Sequence, residues 1–422
     1  MESFFRKKIY STILLLWLAA IPSFAQSIDS TSTIQYKGLL DSLLRNNPEL
    51  FRNVLEKLPS YEVQIIYTRI FRDAKNKPTF KSYTFQLDTN QYFNPASTVK
   101  LPTIALALEK ANALKNKGVS VHSSIVGWGK TTCHKPIKAF PARRTLSEFV
   151  KRMLLVSDND GYNRLYDFVG QAQLNRRMRE MGYPQVRIIQ KFMPCTPEGN
   201  RHTPAVTFYK PNRRIIYRQP AAKNKEILSV PMANTLKGKG YYSGRYFIKS
   251  PYSFKYSNNL NIQNLHDILK SLLFPKSVPA KKRFKLQPSD YDLVRKYLCK
   301  YPRESGFPAY HRKPYHDSYK KYLMYGQKQD IIPDSVRIFN IVGLSYGFQI
   351  DCAYIVNFEA NTEFMVSAVI NVNQNQIYND GVYQYGLGFK FLKDLGNVLM
   401  QYEKVAPKKH APDLSEWKKY AQ

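Results

Sequence analysis

Asn94-Pro95-Ala96-Ser97-Thr98-Val99-Lys100-Leu101-Pro102 runs straight into an apolar helical stretch, Thr103 to Leu114, and the reading of the chain turns on it. Ser97 stands where a loop becomes a helix. Lys100 follows three residues on, so its amine lies about one turn further over the same face. A serine hydroxyl is a poor nucleophile until a neighbouring base takes its proton. A lysine in a partly desolvated place is such a base, because burial and nearby charge lower its pKa. The positive end of the helix favours negative charge developing near Ser97. Pro102 has no N–H for the carbonyl of Thr98, so the first turn is expected to be tight or kinked.

S-x-x-K by itself is a weak signal. It occurs here as Ser97/Lys100, Ser318/Lys321 and Ser415/Lys418. The last two sit in polar, Lys/Tyr-rich surroundings and read as accidents, and Ser97 alone would pass for a helix cap. A second element changes the weighing. Ser157-Asp158-Asn159 occurs once, 60 residues after Ser97, directly behind a helix that opens at Thr145 with Glu148 in capping-box position. A plain turn has the same composition. Between two helices, however, it would aim the Ser157 hydroxyl and the Asn159 amide into a cleft.

Working outward, Thr33 to Asn46 has helical spacing, and Asn47-Pro48 starts a second helix to Lys57. Tyr61–Phe71 and Thr79–Leu87 read as strands around a turn at Asp73 to Pro78. After Ser157 come helices at Gly161–Val169 and Gln171–Met181, then an irregular loop through Glu198. Residues 205–258 are rich in Tyr, Arg, Lys and Gly and read as an insertion. Asn261 and Ser289 cap two further helices. Tyr301–Asp334 is basic, aromatic and loop-like. Val336–Val342, Tyr346–Phe358 and Glu363–Val372 read as strands, followed by a helix over Gly381–Tyr402. Two N-terminal and three C-terminal strands can share one antiparallel sheet, with a cleft against the helices between them. The expectation is an α/β (α+β) chain: a five-stranded antiparallel sheet flanked by helices, plus a mostly helical lobe. The sheet lobe takes about 27–90 and 335–405, the helical lobe about 91–334, within a domain of 27–405, and 406–422 is a polar tail.

Residues 1–25 read as a secretory signal: Arg6, Lys7 and Lys8, an apolar run Ile9–Ala20, and Ser23-Phe24-Ala25 before Gln26. The run is short for a membrane span and no later stretch is apolar enough, so an exported, periplasmic chain is expected. The net charge of +33 suits a polyanionic envelope surface, but no nucleic-acid motif accompanies it. Cys133, Cys195, Cys299 and Cys352 allow three full pairings, and buried thiols stand beside bridges as a reading. There is no C-x-x-C or H-E-x-x-H, so neither metal nor cofactor is expected. A monomer is expected.

The two motifs, in this order and spacing, resemble those of class A β-lactamases and the related penicillin-binding proteins. Helix, hairpin, S-x-x-K helix, S-D-N loop, Glu-bearing loop and C-terminal strands follow that family's order over most of the chain. The resemblance implies Ser97 as the acylated nucleophile and Lys100 as the lysine beside it. It implies Ser157 as the proton carrier to the leaving nitrogen, Asn159 as a substrate-holding amide and Glu198 as the carboxylate that activates the deacylating water. The family's K-T-G is absent. Asn340-Ile341-Val342-Gly343-Leu344 is the best match, with Gly343 kept for close approach. Leu344 N–H would pair with that of Ser97 as an oxyanion hole, and Ser345 follows on the same strand as Ile341. Ile341 and Val342 stand where the family has a cation and a hydroxyl for the substrate carboxylate. Arg337 or the basic 301–330 segment is the alternative source of a cation.

Three functions follow from this. One is an exported serine hydrolase that opens β-lactams. Another is a D,D-peptidase-like acyltransferase on cell-wall peptides, distinguished by the lack of a working Glu198. The third is a catalytically weakened, basic envelope-binding protein on the same fold.

Overall fold

A computed structural model describes residues 35, 36, 38–126, 133, 144–210, 212, 214–311, 313–327 and 331–421. The signal-peptide reading of residues 1–25 lies outside the described residues. Among them no helix is long and apolar enough to cross a membrane.

Helices α1 (Leu39–Arg45) and α2 (Pro48–Leu55) precede the hairpin β1 (Gln64–Arg72) and β2 (Pro78–Phe85). Then come α3 (Lys100–Ala113), α4 (Leu146–Val156), α5 (Asn159–Val169) and α6 (Gln171–Glu180). After the insertion follow α7 (Ile262–Leu273) and α8 (Pro288–Cys299). Strands β3 (Val336–Ser345), β4 (Phe348–Asn357) and β5 (Thr362–Asn371) and helix α9 (Tyr385–Val405) complete the main elements.

The sheet order is β2-β1-β5-β4-β3, all antiparallel, as expected, with the two-residue strand Gln35–Tyr36 added in parallel outside β2. Strand β3 is therefore an edge. One face packs on α1, α2 and α9 through Leu40, Phe51, Ile355 and Leu395. The other packs on the helical lobe through Ile66, Ile104, Leu269 and Ile350. Coverage on both faces explains why β4 and β5 are buried at every position and show no alternation.

Capping follows the sequence in two places. The Thr145 hydroxyl accepts from Glu148 N at 3.2 Å, and Asn261 accepts from Asn264 N. At α8 the helix starts two residues earlier than a Ser289 cap suggested. Pro288 takes the first helical position, and Asp290 accepts from Gln287 N at 2.8 Å. The 205–258 stretch forms short strands, Val206–Tyr209 pairing with both Ser124–Val126 and Ile215–Gln219. The segment 406–422 is more than a polar tail. Leu414, Trp417 and Tyr420 are buried in the helical-lobe core, and Trp417 packs edge-on against Phe274 and Phe339. Cys133 and Cys195 form a disulfide, while Cys299 and Cys352 are buried thiols.

Candidate active site

Ala96–Val99 forms one 3₁₀ turn that passes directly into α3, the tight first turn that Pro102 implied. Ser97 makes no capping bond there. Its hydroxyl lies 2.8 Å from Lys100 Nζ instead. Ala96, just before it, has φ +45°, and Ser157 at the end of α4 has φ +58°. Left-handed backbone at non-glycine residues stores about 1–3 kcal/mol each, and both instances flank the same point. Ser157 thus turns sharply between α4 and α5. Asp158 caps α5 by accepting from Gly161 N at 2.5 Å, which leaves Asn159 at its first position.

Lys100 is completely buried, and four oxygens surround its Nζ. They are Ser97 Oγ at 2.8 Å, Ser157 O at 2.6 Å, Ser157 Oγ at 2.9 Å and Asn159 Oδ1 at 2.7 Å. The two carbonyl oxygens can only accept. A neutral amine gives its two N–H bonds to them and turns its lone pair to a hydroxyl. Burial lowers the Lys100 pKa to about 7, against a smaller opposing pull from Asp158. The Phe192 ring sits 5.2 Å from Nζ and closes this side to water. Asn163 on α5 holds that loop, accepting from Phe192 N at 2.7 Å. Phe192 was invisible to motif reading, because an aromatic in an irregular loop carries no spacing signal.

A cavity of about 880 Å³ opens onto Ser97, Ser157 and Asn159. Its other wall includes Val342 and Leu344 of β3. The strand comes this close because Gly343 has no side chain: a Cβ there would lie 2.7 Å from Pro95 O and 3.2 Å from Thr98 Cγ2. That contact supports the register read from the sequence. Ser345 ends β3, paired with Phe348, and does not line the cavity.

Glu198 stands elsewhere. It lies in the first turn of the short helix Pro197–Asn200, where a carboxylate suits the helix dipole. Its side chain is 52% exposed and binds Lys223 at 2.6 Å, Arg201 at 2.6 Å and His202 at 3.1 Å. Lys223 first, then His202 and Arg201, hold its pKa down to about 2. It lines a different depression with Thr196 and Ile227. The assignment as deacylating base is corrected accordingly. Neither the cavity lining nor the hydrogen-bond shell of Lys100 contains a carboxylate among the described residues. Glu198→Gln is expected to leave the lifetime of any acyl-enzyme within about twofold of wild type. A several-fold longer lifetime, read by intact mass against time, would restore Glu198 to the mechanism.

Ile341 is fully buried in the same core cluster as Phe339, Ile350 and Cys352. Ile341→Lys therefore places an unpaired ammonium in an apolar core rather than restoring a missing one. The expected loss of stability is on the order of 3–5 kcal/mol, checked by denaturant unfolding. Unchanged stability with faster acylation would contradict this placement. Arg337 is no replacement cation either. It is turned away from the cavity to Ala421 O at 2.8 Å and Glu304 at 3.1 Å.

The segment read as a basic loop supplies much of the remaining wall, including Lys313, His316, Ser318, Tyr319 and Lys320, and Phe389 of α9 adds to it. The Ser318/Lys321 pair, set aside as an accident, is no nucleophile pair, but it marks this segment. The Lys321 amine is buried on Leu298 O and Ile338 O, both at 2.6 Å, and on Asn340 Oδ1 at 2.7 Å.

Ser97, Lys100, Ser157 and Asn159 thus meet at one point, and Ser97, Ser157 and Asn159 line a substrate-sized cavity. Residues 51–227, which carry Ser97, Lys100, Ser157 and Asn159, match the model of the Beta-lactamase enzyme family. Similar solved structures include a β-lactamase from Sphaerobacter thermophilus, 12% identical with a TM-score of 0.46, the alignment covering 87% of this chain and 98% of that one. Another is a β-lactamase from Xanthomonas campestris, 12% identical with a TM-score of 0.47, covering 84% and 97%. A third is the β-lactamase from Streptomyces albus G, 12% identical with a TM-score of 0.45, covering 85% and 98%. No curated protein matches the sequence.

Proposed function

We propose that the protein forms an acyl-enzyme on Ser97 with a β-lactam, or with the cell-wall peptide amide that a β-lactam mimics, and releases the acyl group slowly. The observation that carries this is the buried Lys100 amine, 2.6 Å and 2.7 Å from the obligate acceptors Ser157 O and Asn159 Oδ1 and 2.8 Å from the Ser97 hydroxyl. In acylation the Ser97 Oγ–carbon bond forms as the proton on Oγ passes to Lys100 Nζ. The carbon–nitrogen bond then breaks, and the proton reaches the departing nitrogen through the Ser157 hydroxyl, which touches Lys100 at 2.9 Å. The backbone N–H groups of Ser97 and Leu344 are the proposed donors to the developing oxyanion. Asn159, on the cavity wall, is the proposed contact for the acyl side chain.

Slow release rests on a separate observation: Glu198 is remote and Phe192 covers Lys100. With no carboxylate on the cavity wall among the described residues to activate water, the acyl group waits for adventitious water or an amine acceptor. This favours the acyltransferase reading over rapid β-lactam hydrolysis. Rapid-mixing kinetics with a chromogenic cephalosporin test it. A burst of one equivalent followed by a turnover at least tenfold slower is expected. Rapid linear turnover without a burst would overturn slow release.

A further inference from the structure

The 205–258 insertion carries a short hairpin that the acyl-transfer site does not use. Its strands are Gly240–Ser243 and Tyr246–Ile248, paired antiparallel with Ser243 opposite Tyr246. Gly244 and Arg245 make the two-residue turn, with Gly244 at φ +60°. Successive strand residues point to opposite faces, so Tyr246 and Phe247 lie on different sides of the hairpin. Yet Tyr246 is 65% exposed and Phe247 48%. Neither face of the tip is covered, so the tip projects from the protein.

The base of the hairpin is held firmly. Gly240 and Tyr241 pair in parallel with Ile377 and Tyr378. Tyr241 packs edge-on against Tyr252 at 5.3 Å, and Tyr252 lies 5.5 Å from Tyr346, in the turn after β3. Phe247 rests over Gly240, where a Cβ would meet its ring at 2.5 Å, and lies 5.4 Å from the Tyr242 ring. Asn379 donates to Tyr242 O at 3.1 Å, which brings the 379–382 turn alongside. Val382 in that turn is 52% exposed.

The charge around these side chains has one sign. Over 236–256 the sequence has five cations, Lys237, Lys239, Arg245, Lys249 and Lys255, and no carboxylate. Lys237 is taken up by Glu62 at 2.5 Å. Lys239, Arg245 and Lys249 are exposed and enter no ion pair among the described residues. Asp380, the carboxylate in the 379–382 turn, accepts from Val382 N at 2.9 Å and from Asn375 Nδ2 at 2.6 Å.

We propose that this hairpin is a membrane-surface contact, which seats Tyr246, Phe247 and Val382 at the headgroup level of an anionic phospholipid bilayer. Charge complementarity names the partner: Lys239, Arg245 and Lys249 flank the exposed rings, on a chain of net charge +33. An aromatic side chain with an apolar body and a polar tip, as in Tyr246, favours that interface. A soluble polyanion would meet the cations but leave Phe247 and Val382 in water, so the bilayer is the better fit.

The test is cosedimentation of the whole protein with vesicles of mixed phosphatidylglycerol and phosphatidylcholine, and of phosphatidylcholine alone, at about 0.1 M salt. Wild type is expected to prefer the anionic vesicles about 100-fold, at about fivefold for each of three cations. A chain this basic would be drawn to such vesicles by any face, so the deciding variant keeps the charge. Tyr246→Ser/Phe247→Ser is expected to weaken binding about tenfold or more, with an unchanged near-UV circular dichroism spectrum. Arg245→Gln/Lys249→Gln is expected to weaken it about 25-fold. Ile227→Ser, which changes an exposed aliphatic beside Glu198, is expected to bind as wild type. Equal binding of wild type to both vesicle types, or to neither, overturns the inference without need of any variant. So does unchanged binding in Tyr246→Ser/Phe247→Ser, which would leave only diffuse electrostatic attraction. Binding to poly-glutamate or single-stranded DNA that falls as far in that variant as vesicle binding does would give the hairpin to a polyanion instead.

Discussion

Ser97→Ala is expected to reduce covalent labelling by a β-lactam on the order of 10⁴-fold or more, to the limit of detection, because the proposed acyl acceptor is gone. Ser157 is the nearest alternative. It sits 2.9 Å from Lys100, but it is the C-cap of α4 in left-handed backbone, and its main-chain oxygen also binds the amine. The substitution removes one hydroxyl that caps nothing, and Lys100 keeps Ser157 O and Asn159 Oδ1. Stability should therefore change by no more than about 1 kcal/mol. Labelling that persists at the wild-type rate in a well-folded Ser97→Ala protein would place the nucleophile elsewhere.

Lys100→Ala is expected to slow acylation about 10²- to 10⁴-fold while leaving its final stoichiometry near one, since the nucleophile stays in place. The same residue sets the pH profile. Its pKa is lowered to about 7 by burial, so above that pH the amine is free to take the Ser97 proton. Below it, the protonated form has no lone pair. The acylation rate should fall about tenfold per pH unit on the acid side of about 7 and level off above it. In Lys100→Ala that limb should vanish. The variant leaves two buried carbonyl acceptors without their donor, at about 1–3 kcal/mol each, so its rate is read on protein shown to be folded. A wild-type rate flat from pH 5 to pH 8 would exclude Lys100 as the base.

Much of this site was legible from residue types and spacing. Ser97 and Lys100 three apart at a helix start, then Ser157-Asp158-Asn159 behind a capped helix, were enough to bring four side chains to one point. Five strands were legible because each has a turn or glycine boundary, and Gly343 was legible because only glycine tolerates the approach of Pro95 O. Glu198 misled because proximity in sequence to the loop after α6 says nothing about which side of the short Pro197–Asn200 helix it faces. The arginine, histidine and lysine around it are the reason it faces outward. The 301–334 segment misled for a different reason. Lys320 and Lys321 look like solvated surface in the sequence, and the groups that bury them are backbone carbonyls and Asn340, which no composition reveals. Trp417 was hidden in the same way, an aromatic in a run of charged residues that packs into the core.

Where the acyl group goes is the most direct test of Ser97 as the nucleophile. Wild-type protein incubated with a penicillin, digested and mapped by mass spectrometry, should show one adduct per chain on the peptide that contains Ser97, at the full mass of the drug. A map with no adduct at any time, or with the adduct on another residue while Ser97 stays unmodified, would contradict it.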